Sequence, residues 1–438
     1  MKSTIRDLQT TIDDLNRKVD ALEKAAPATA TDSALGSTAP QSPITPRDAL
    51  NDQQEPAPRP NDLTLEPDYR GFIPVPHTPV LIKFNAKPRV DFTYDTDNAG
   101  DDNRFITAKI PVAGDPAKGG GAVFNANAKG SQLRIDVRAP EIDGAPRFYY
   151  QNDFFASSGG EFGYRMQHIY GKLYNVTVGY TYGVFEDPDV WPDTVDYEGP
   201  NSAIFARVPL VHYQLSLIPE WAITLGLEQP ESLPSTLDGE AVKGVNHAPD
   251  GGFNVRWERS KVGHVQFATI LRDIGTRGVS EEVTTGPATD DQSVLGWGLN
   301  LSGAFDLFGR DTLLAQLTYG HGIGRYSNDA GFFDTDAAFD EGGDLVALPY
   351  LGVLIGYTHH WNEEWRSTGS YGYVEMENEE SQGPDAYHAT HYASLNVMWQ
   401  IRERLTLGLE GLYGHKETQD GSTGDVGRAQ FGVLYSIF

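Results

Sequence analysis

The sequence predicts an all-β transmembrane barrel of about sixteen antiparallel strands, preceded by an N-terminal α-helical coiled coil. Three observations carry the barrel. From Val80 onward, apolar and polar residues alternate with a period of two, which a helix cannot use. The apolar positions are rich in large rings: the 438 residues include 20 Phe, 21 Tyr and 7 Trp, together with 47 Gly. The connections between these segments alternate between short turns and long polar stretches. A membrane barrel hides its apolar band in alternation rather than in runs, so the absence of any long apolar run fits it.

The N-terminal element rests on a heptad pattern. Ile5, Leu8, Ile12, Leu15, Val19 and Leu22 recur at spacings of three and four, with β-branched residues at a and Leu at d. Lys18 at g and Glu23 at e are placed to pair between parallel helices. The stripe is too narrow for packing on a globular domain, so residues 1–24 are expected to form a short oligomerisation coil. The a/d choice alone leans toward a dimer. Residues 25–79 read as a linker: of 27 prolines, those from Pro27 to Pro79 are interleaved with Ala, Ser, Thr and Asp. Such a segment buries little apolar surface and is expected to be extended, with its apolar end from Phe72 touching the body. No basic and then apolar leader opens the chain, and the expectation is a mature sequence to which Met1 has been added.

Residues 80–438 are the barrel. In the first segment Ile82, Phe84, Ala86, Val90, Phe92 and Tyr94 share one face, and Lys83, Asn85, Lys87, Arg89, Asp91 and Asp95 the other. Similar segments start near residues 131, 146, 161, 174, 203, 221, 251, 262, 292, 311, 349, 364, 388, 403 and 426. A soluble β-sandwich would carry shorter strands and a polar outer face. The terminal Tyr435-Ser436-Ile437-Phe438 supports the barrel, since such chains commonly end on an aromatic residue.

Composition removes several function classes. There is no Cys, hence no disulfide framework and no thiolate chemistry. The 34 Lys and Arg against 61 Asp and Glu give a net charge of −27, which argues against a nucleic-acid partner. No G-x-S-x-G, H-E-x-x-H or phosphate-binding glycine loop is present, so no enzyme activity, metal or cofactor is expected. The Asp95–Asp101 run lacks the fifth-position ligand and the bidentate Glu of a calcium loop and reads as a solvated outer loop. His359-His360, His388 and His391 lack ligand spacing.

Residues 161–213 carry specific motifs. Arg165, His168, Tyr170 and Gly171 form an R-x-x-H-x-Y-G run, and Asp187 to Asn201 reads D-P-D-x-x-P-D-T-x-D-x-E-G-P-N. With Phe72-Ile73-Pro74, Ile82-Lys83 and Arg89-Val90-Asp91 ahead of them, these resemble the DcaP-like trimeric porins of Gram-negative outer membranes. The resemblance implies a homotrimer of 16-stranded barrels in the bacterial outer membrane, passing small anionic solutes and dicarboxylates in particular. It also implies a periplasmic coiled coil.

With apolar faces toward lipid or a subunit seam, the alternate positions line the interior. The anion-binding candidates are Arg89, Arg134, Arg138, Arg147, Arg165 and Arg256, with Lys83, Lys87, Arg272, Gln151 and Gln167 on the same faces. Arg207 is a further candidate, although strict alternation sets it with Phe205. Arginine suits the task because it stays charged and grips carboxylates with two donors. The competing reading is that these arginines pair with Asp91, Asp136 and Asp153 and support the wall. The connection 184–201 is expected to fold inward as a constriction loop, with Asp187, Asp189, Asp193, Asp196 and Glu198 pairing with wall arginines. Lipid and lipopolysaccharide are the expected surroundings, the latter bridged by divalent cations to Glu375–Glu380, and the helices reach toward peptidoglycan. The alternatives are a general or cation-selective porin and a tether from outer membrane to peptidoglycan.

Overall fold

The computed structural model describes residues 71–156, 161–235, 242–277, 291–402 and 404–437. The heptads from Ile5 to Leu22, the linker before residue 71 and Phe438 lie outside these residues. The described residues are predominantly antiparallel β-strand, and their helical content is limited to three-residue 3-10 turns. None of their helices is long and apolar enough to cross a membrane, which does not bear on strands.

Sixteen longer strands, two of them interrupted, build the main sheet of the described residues, and the two-residue strands Ile73–Pro74 and Gly244–Val245 add to it. β1 runs in two parts, Leu81–Lys87 and Arg89–Asp95, and β2 in two parts, Val123–Asn127 and Gln132–Arg138. There follow β3 (Arg147–Asp153), β4 (Arg165–Leu173), β5 (Val176–Tyr182), β6 (Arg207–Ile218), β7 (Trp221–Glu228) and β8 (Asp250–Arg259). Then come β9 (Gly263–Thr276), β10 (Gln292–Leu307), β11 (Asp311–His321), β12 (Pro349–His360), β13 (Trp365–Met376), β14 (Tyr387–Arg402), β15 (Leu405–Thr418) and β16 (Thr423–Tyr435). The break in β1 falls at Pro88, which has no N–H to give to a ladder. Its carbonyl still accepts from the Tyr435 N–H at 3.0 Å.

Each strand pairs antiparallel with the next in sequence, from β1 with β2 to β15 with β16. The last strand then pairs back onto the first, with Arg428 opposite Asp95 and Leu434 opposite Arg89. The first and last long strands are thereby joined over Arg89–Asp95, which leaves fewer backbone groups of the sheet without a partner. At this seam Arg428 grips Asp95 with two hydrogen bonds of 2.6 and 2.8 Å, both side chains being buried.

The polarity of the two faces is inverted relative to a soluble protein. Phe84, Phe92, Tyr94, Leu133, Leu225, Phe267, Leu299, Ile355 and Leu409 are exposed. Arg89, Asp91, Asp95, Arg138, Gln151, Asn300, Gln316, Arg366 and Gln430 are buried. Connections 174–175, 219–220, 260–262, 308–310 and 403–404 are short, whereas those of the opposite end, such as 96–122, 183–206, 229–249 and 322–348, are long.

The buried face is not simply open space, because the connections 96–122 and 322–348 pack against it. Phe105, Ile106 and Ile110 from the first, and Ile323, Tyr326 and Ala330 from the second, are buried. They pack on inward apolar residues near the strand ends, Tyr350, Val374 and Met376 in one cluster and Tyr392, Leu412 and Val426 in another. Small residues of the buried face make room: a Cβ on Gly372 would meet Asn201 Oδ1 at 2.1 Å, and one on Gly408 would meet Val195 Cγ2 at 2.5 Å. At the other end Phe72 lies under Arg138, 4.9 Å from the guanidinium, so the chain ahead of the sheet touches it.

The β1–β16 seam gives a stability prediction. Replacing Arg428 with Met strands a buried Asp95 carboxylate and is expected to cost about 3–5 kcal/mol. The urea midpoint in detergent should fall accordingly, and Asp95→Asn in the same chain should recover part of the loss.

Candidate functional site

The connection 183–206 crosses the space inside the sheet. Pro188, Pro192 and Pro200 keep it out of a strand ladder, and Asp187 caps the Pro188–Val190 turn by accepting from the Asp189 N–H. Its carbonyls are held by amide side chains of the buried face. Asn254 donates to Val184 O at 2.9 Å, Gln266 to Glu186 O at 2.8 Å and Asn300 to Phe185 O at 2.8 Å. Gln316 donates to Ser202 O at 2.9 Å, Asn396 to Asp193 O at 2.8 Å and Gln430 to Val195 O at 3.2 Å. These donors come from β8, β9, β10, β11, β14 and β16, so the connection is pinned around much of the sheet.

Its acidic residues are engaged as well. Asp187 takes Arg256 at 3.1 Å, His264 at 2.8 Å and Ser302 at 2.6 Å, and Asp189 takes the same Arg256 at 2.7 Å. Asp187, Asp189 and His264 lie close enough to hold a cation, and the Arg256 guanidinium supplies it. Asp193 pairs with Arg366 at 2.6 Å and Glu198 with Arg104 at 3.1 Å. Asp196 accepts from the Gly199 N–H at 2.9 Å and the Phe105 N–H at 3.3 Å. Burial pulls the Asp187 carboxyl upward, but His264 and Arg256 outweigh it and hold it well below the ordinary carboxylate range. Burial pushes Asp196 the other way, up to about 6, against the pull of Arg428.

Between this connection, the connections 96–122 and 322–348 and the β3–β5 wall lies a cavity of about 220 Å³. Four guanidiniums line it, Arg104, Arg165, Arg207 and Arg325, together with Glu198 and the rings of Tyr182, Tyr197, Phe205 and Phe332. Arg165 pairs with Asp153 at 2.5 Å, and the Tyr197 hydroxyl and Gln167 amide donate to that same carboxylate at 2.8 and 2.7 Å. Arg325 lies 3.4 Å from Asp250 and 3.8 Å from Glu231. Arg207 forms no ion pair among the described residues; its guanidinium rests over Phe205 at 4.8 Å and Tyr182 at 5.9 Å. Rings leave a cation's charge largely available to a further anion, whereas a carboxylate cancels it.

The sequence-derived arginines divide into two groups. Arg165 and Arg207 line the cavity. The other five sit in the wall. Arg89 holds Asp91 at 2.5 Å and also donates to Val195 O. Arg138 and Arg147 both hold Asp136, at 2.8 and 2.7 Å, and Arg134 donates to Gln132 at 2.8 Å. Arg256 serves Asp187, Asp189 and Glu258. Of the weaker candidates, Arg272 is held between Asp250 at 3.0 Å and Asp336 at 2.8 Å. Arg104 and Arg325 escaped the sequence reading because they sit in connections, where no alternation reports direction.

Residues 70–436 match the profile of the DcaP outer membrane protein family. The chain belongs to that family. The motifs between residues 161 and 213 point the same way. Among solved structures it is similar to the outer membrane channel DcaP of Acinetobacter baumannii, with a TM-score of 0.70 and 20% identity over 82% of this chain and 97% of that one. It is also similar to OmpT of Vibrio cholerae in a form described as a trimer. There the TM-score is 0.51 and the identity 12%, over 82% of this chain and 99% of that one. At such identities the likeness establishes the fold. No curated protein matches the chain.

Asp196 yields a pH prediction. An acid whose pKa is raised on folding costs nothing while neutral in both states, and its penalty grows as pH rises from about 4 to above 6. Asp196→Asn is therefore expected to raise stability at pH 8 by on the order of 1–3 kcal/mol and to change little at pH 4. Urea titration of the detergent-solubilised protein at the two pH values reads this directly.

Proposed function

We propose that this chain is a passive outer-membrane porin for small anionic solutes, dicarboxylates among them. The observation that carries the reading is the cavity with four guanidiniums and the lone Glu198 carboxylate in its lining. The chain's net charge of −27 does not oppose this, because selectivity follows the local field in a confined, low-dielectric passage. Arg207, without a carboxylate partner among the described residues, is the cation most available to solute, and Arg104, Arg165 and Arg325 line the same cavity with their charge partly offset by Glu198, Asp153 and Asp250. Solute binds weakly enough to leave and crosses by diffusion; no covalent chemistry is involved.

The pairing of β16 with β1 supports a closed barrel of sixteen strands. Strand length supports a homotrimer. β3, β4 and β5 have 7, 9 and 7 residues, whereas β10 and β14 have 16. A spanning strand needs about 9–11 residues. This low wall is suited to burial against a second copy rather than to contact with lipid. The remaining exposed aromatic face suits lipid and lipopolysaccharide. In this reading residues 1–24 form a periplasmic coil that holds the trimer or reaches peptidoglycan, and residues 25–79 link it to the barrel of residues 80–438.

Reversal potentials in a planar bilayer under a KCl gradient test the anion reading. Anion preference is expected, and Arg207→Glu should lower it several-fold. The same change at Arg147, which is held by Asp136 away from the cavity, should leave it in place. An unchanged potential in the Arg207 variant would remove that residue from the filter, and cation preference in the native chain would favour a general or cation-selective porin.

Oligomeric state tests the low wall. Val178→Arg places a charge on the outer face of β5 and is expected to convert trimers to monomers on gels run in mild detergent. Persistence of the trimer would place the seam elsewhere.

A further inference from the structure

We propose that Glu186 and Glu228 form a proton-sharing pair behind the cavity, which controls how much of the Arg325 charge is offered to solute. The inference rests on the channel reading above and adds a pH-dependent determinant of its selectivity.

The two carboxylates meet at Gly183. Glu186 belongs to the inward connection and Glu228 ends β7, and both side chains are buried. A Cβ placed on Gly183 would lie 2.5 and 2.6 Å from the two Glu228 oxygens and 2.7 Å from Glu186 Oε2. Oxygens that surround one point at 2.5 and 2.7 Å are at most 5.2 Å apart. Gly183 has no side chain to separate them. Two carboxylates this close and this buried do not both ionise readily.

The surroundings decide which of the two holds the proton. Glu228 accepts from the Val184 N–H at 2.6 Å, from the Tyr326 hydroxyl at 3.3 Å and faces His212 Nε2 of β6 at 3.3 Å. The Glu186 carboxylate has no side-chain donor among the described residues and is met only loosely, by the backbone N–H groups of Glu186 and Ala206. Beyond them, Asp250 of β8 takes Tyr326 at 2.9 Å, Arg272 of β9 at 3.0 Å and Arg325 at 3.4 Å. Arg272 is shared with Asp336 at 2.8 Å. Five carboxylates, Glu186, Glu228, Asp250, Asp336 and the more exposed Glu231, thus face two guanidiniums, Arg272 and Arg325. The deficit is met by keeping Glu186 neutral. Burial first, and then Glu228, push its carboxyl well above the ordinary range, with Arg325 pulling the other way.

Arg325 connects the pair to the cavity, which it lines. With Glu186 neutral, Arg325 has the buried Asp250 and the exposed Glu231 as its near counter-charges. Once Glu186 ionises, a further buried negative charge acts on the same guanidinium and offsets its field in the passage. Anion preference therefore falls as pH rises.

The test is the reversal potential of the full-length protein in a KCl gradient at pH 7 and at pH 9.5, a range above the ordinary imidazole and carboxyl titrations. The native chain is expected to lose anion preference across this range, and Glu186→Gln to keep the same preference at both pH values. Glu228→Gln is the second variant, and it should flatten the profile likewise. A flat profile in the native chain, or a native slope in both variants, overturns the proposal. The two readings fail separately. A native chain that prefers cations at every pH, yet shifts with pH only while Glu186 is present, sinks the anion reading and keeps the pair. An anion-preferring chain with no pH response does the opposite.

Discussion

Burying polar side chains on one face of the sheet, and finding most of them a partner there, is the constraint from which the rest of the structure follows. A sheet with Phe, Leu and Tyr on its exposed face leaves its charged and amide groups no route to water except through the interior. Unpaired, such groups are costly. The structure answers with ion pairs within and between strands, as in Arg89–Asp91, Arg147–Asp136 and Arg428–Asp95. It also brings three connections inside, whose carbonyls and carboxylates engage the remaining donors. Wall and connections are therefore one system: Asn254, Asn300 and Gln316 need the carbonyls of Val184, Phe185 and Ser202 as much as those carbonyls need them.

Once the wall charges are paired, what remains defines the site. Arg89, Arg138, Arg147 and Arg256 are spent on carboxylates. In the cavity Arg104, Arg165 and Arg325 each keep a carboxylate partner, and Arg207 alone rests on aromatic rings with no acid paired to it among the described residues. An acidic chain can in this way present a basic passage. The aspartates of 183–206 hold the connection in position by taking up the wall arginines Arg256 and Arg366.

Alternation made the strands legible. Apart from β2, whose first part Val123–Asn127 lies ahead of the segment expected at 131, the segments expected from residue 80 onward start within four residues of the observed strands, because one face had to be apolar throughout and a slip of one residue would invert it. In the connection 184–201, Asp187 and Asp189 pair with Arg256 and Asp193 with Arg366. The inward course of 96–122 and 322–348 was not legible, since polar composition alone does not tell a solvated loop from one that pairs its polar groups inside. A signal was nonetheless present. β13 sets Thr368, Ser370 and Gly372 on its buried face, and β15 sets Gly408 and Gly414 there, residues too small to fill an interior by themselves. Arg207 lines the cavity out of step with the buried Val208 and Leu210, where the connection hands over to β6. Period-two arguments fail at such junctions.

The central claim is that residual positive charge in the cavity selects anions. Its most direct test is liposome swelling with the purified full-length protein, comparing succinate with a diamine of the same carbon chain length. Faster entry of succinate is the result the account predicts. Equal rates, or faster entry of the diamine, would contradict it.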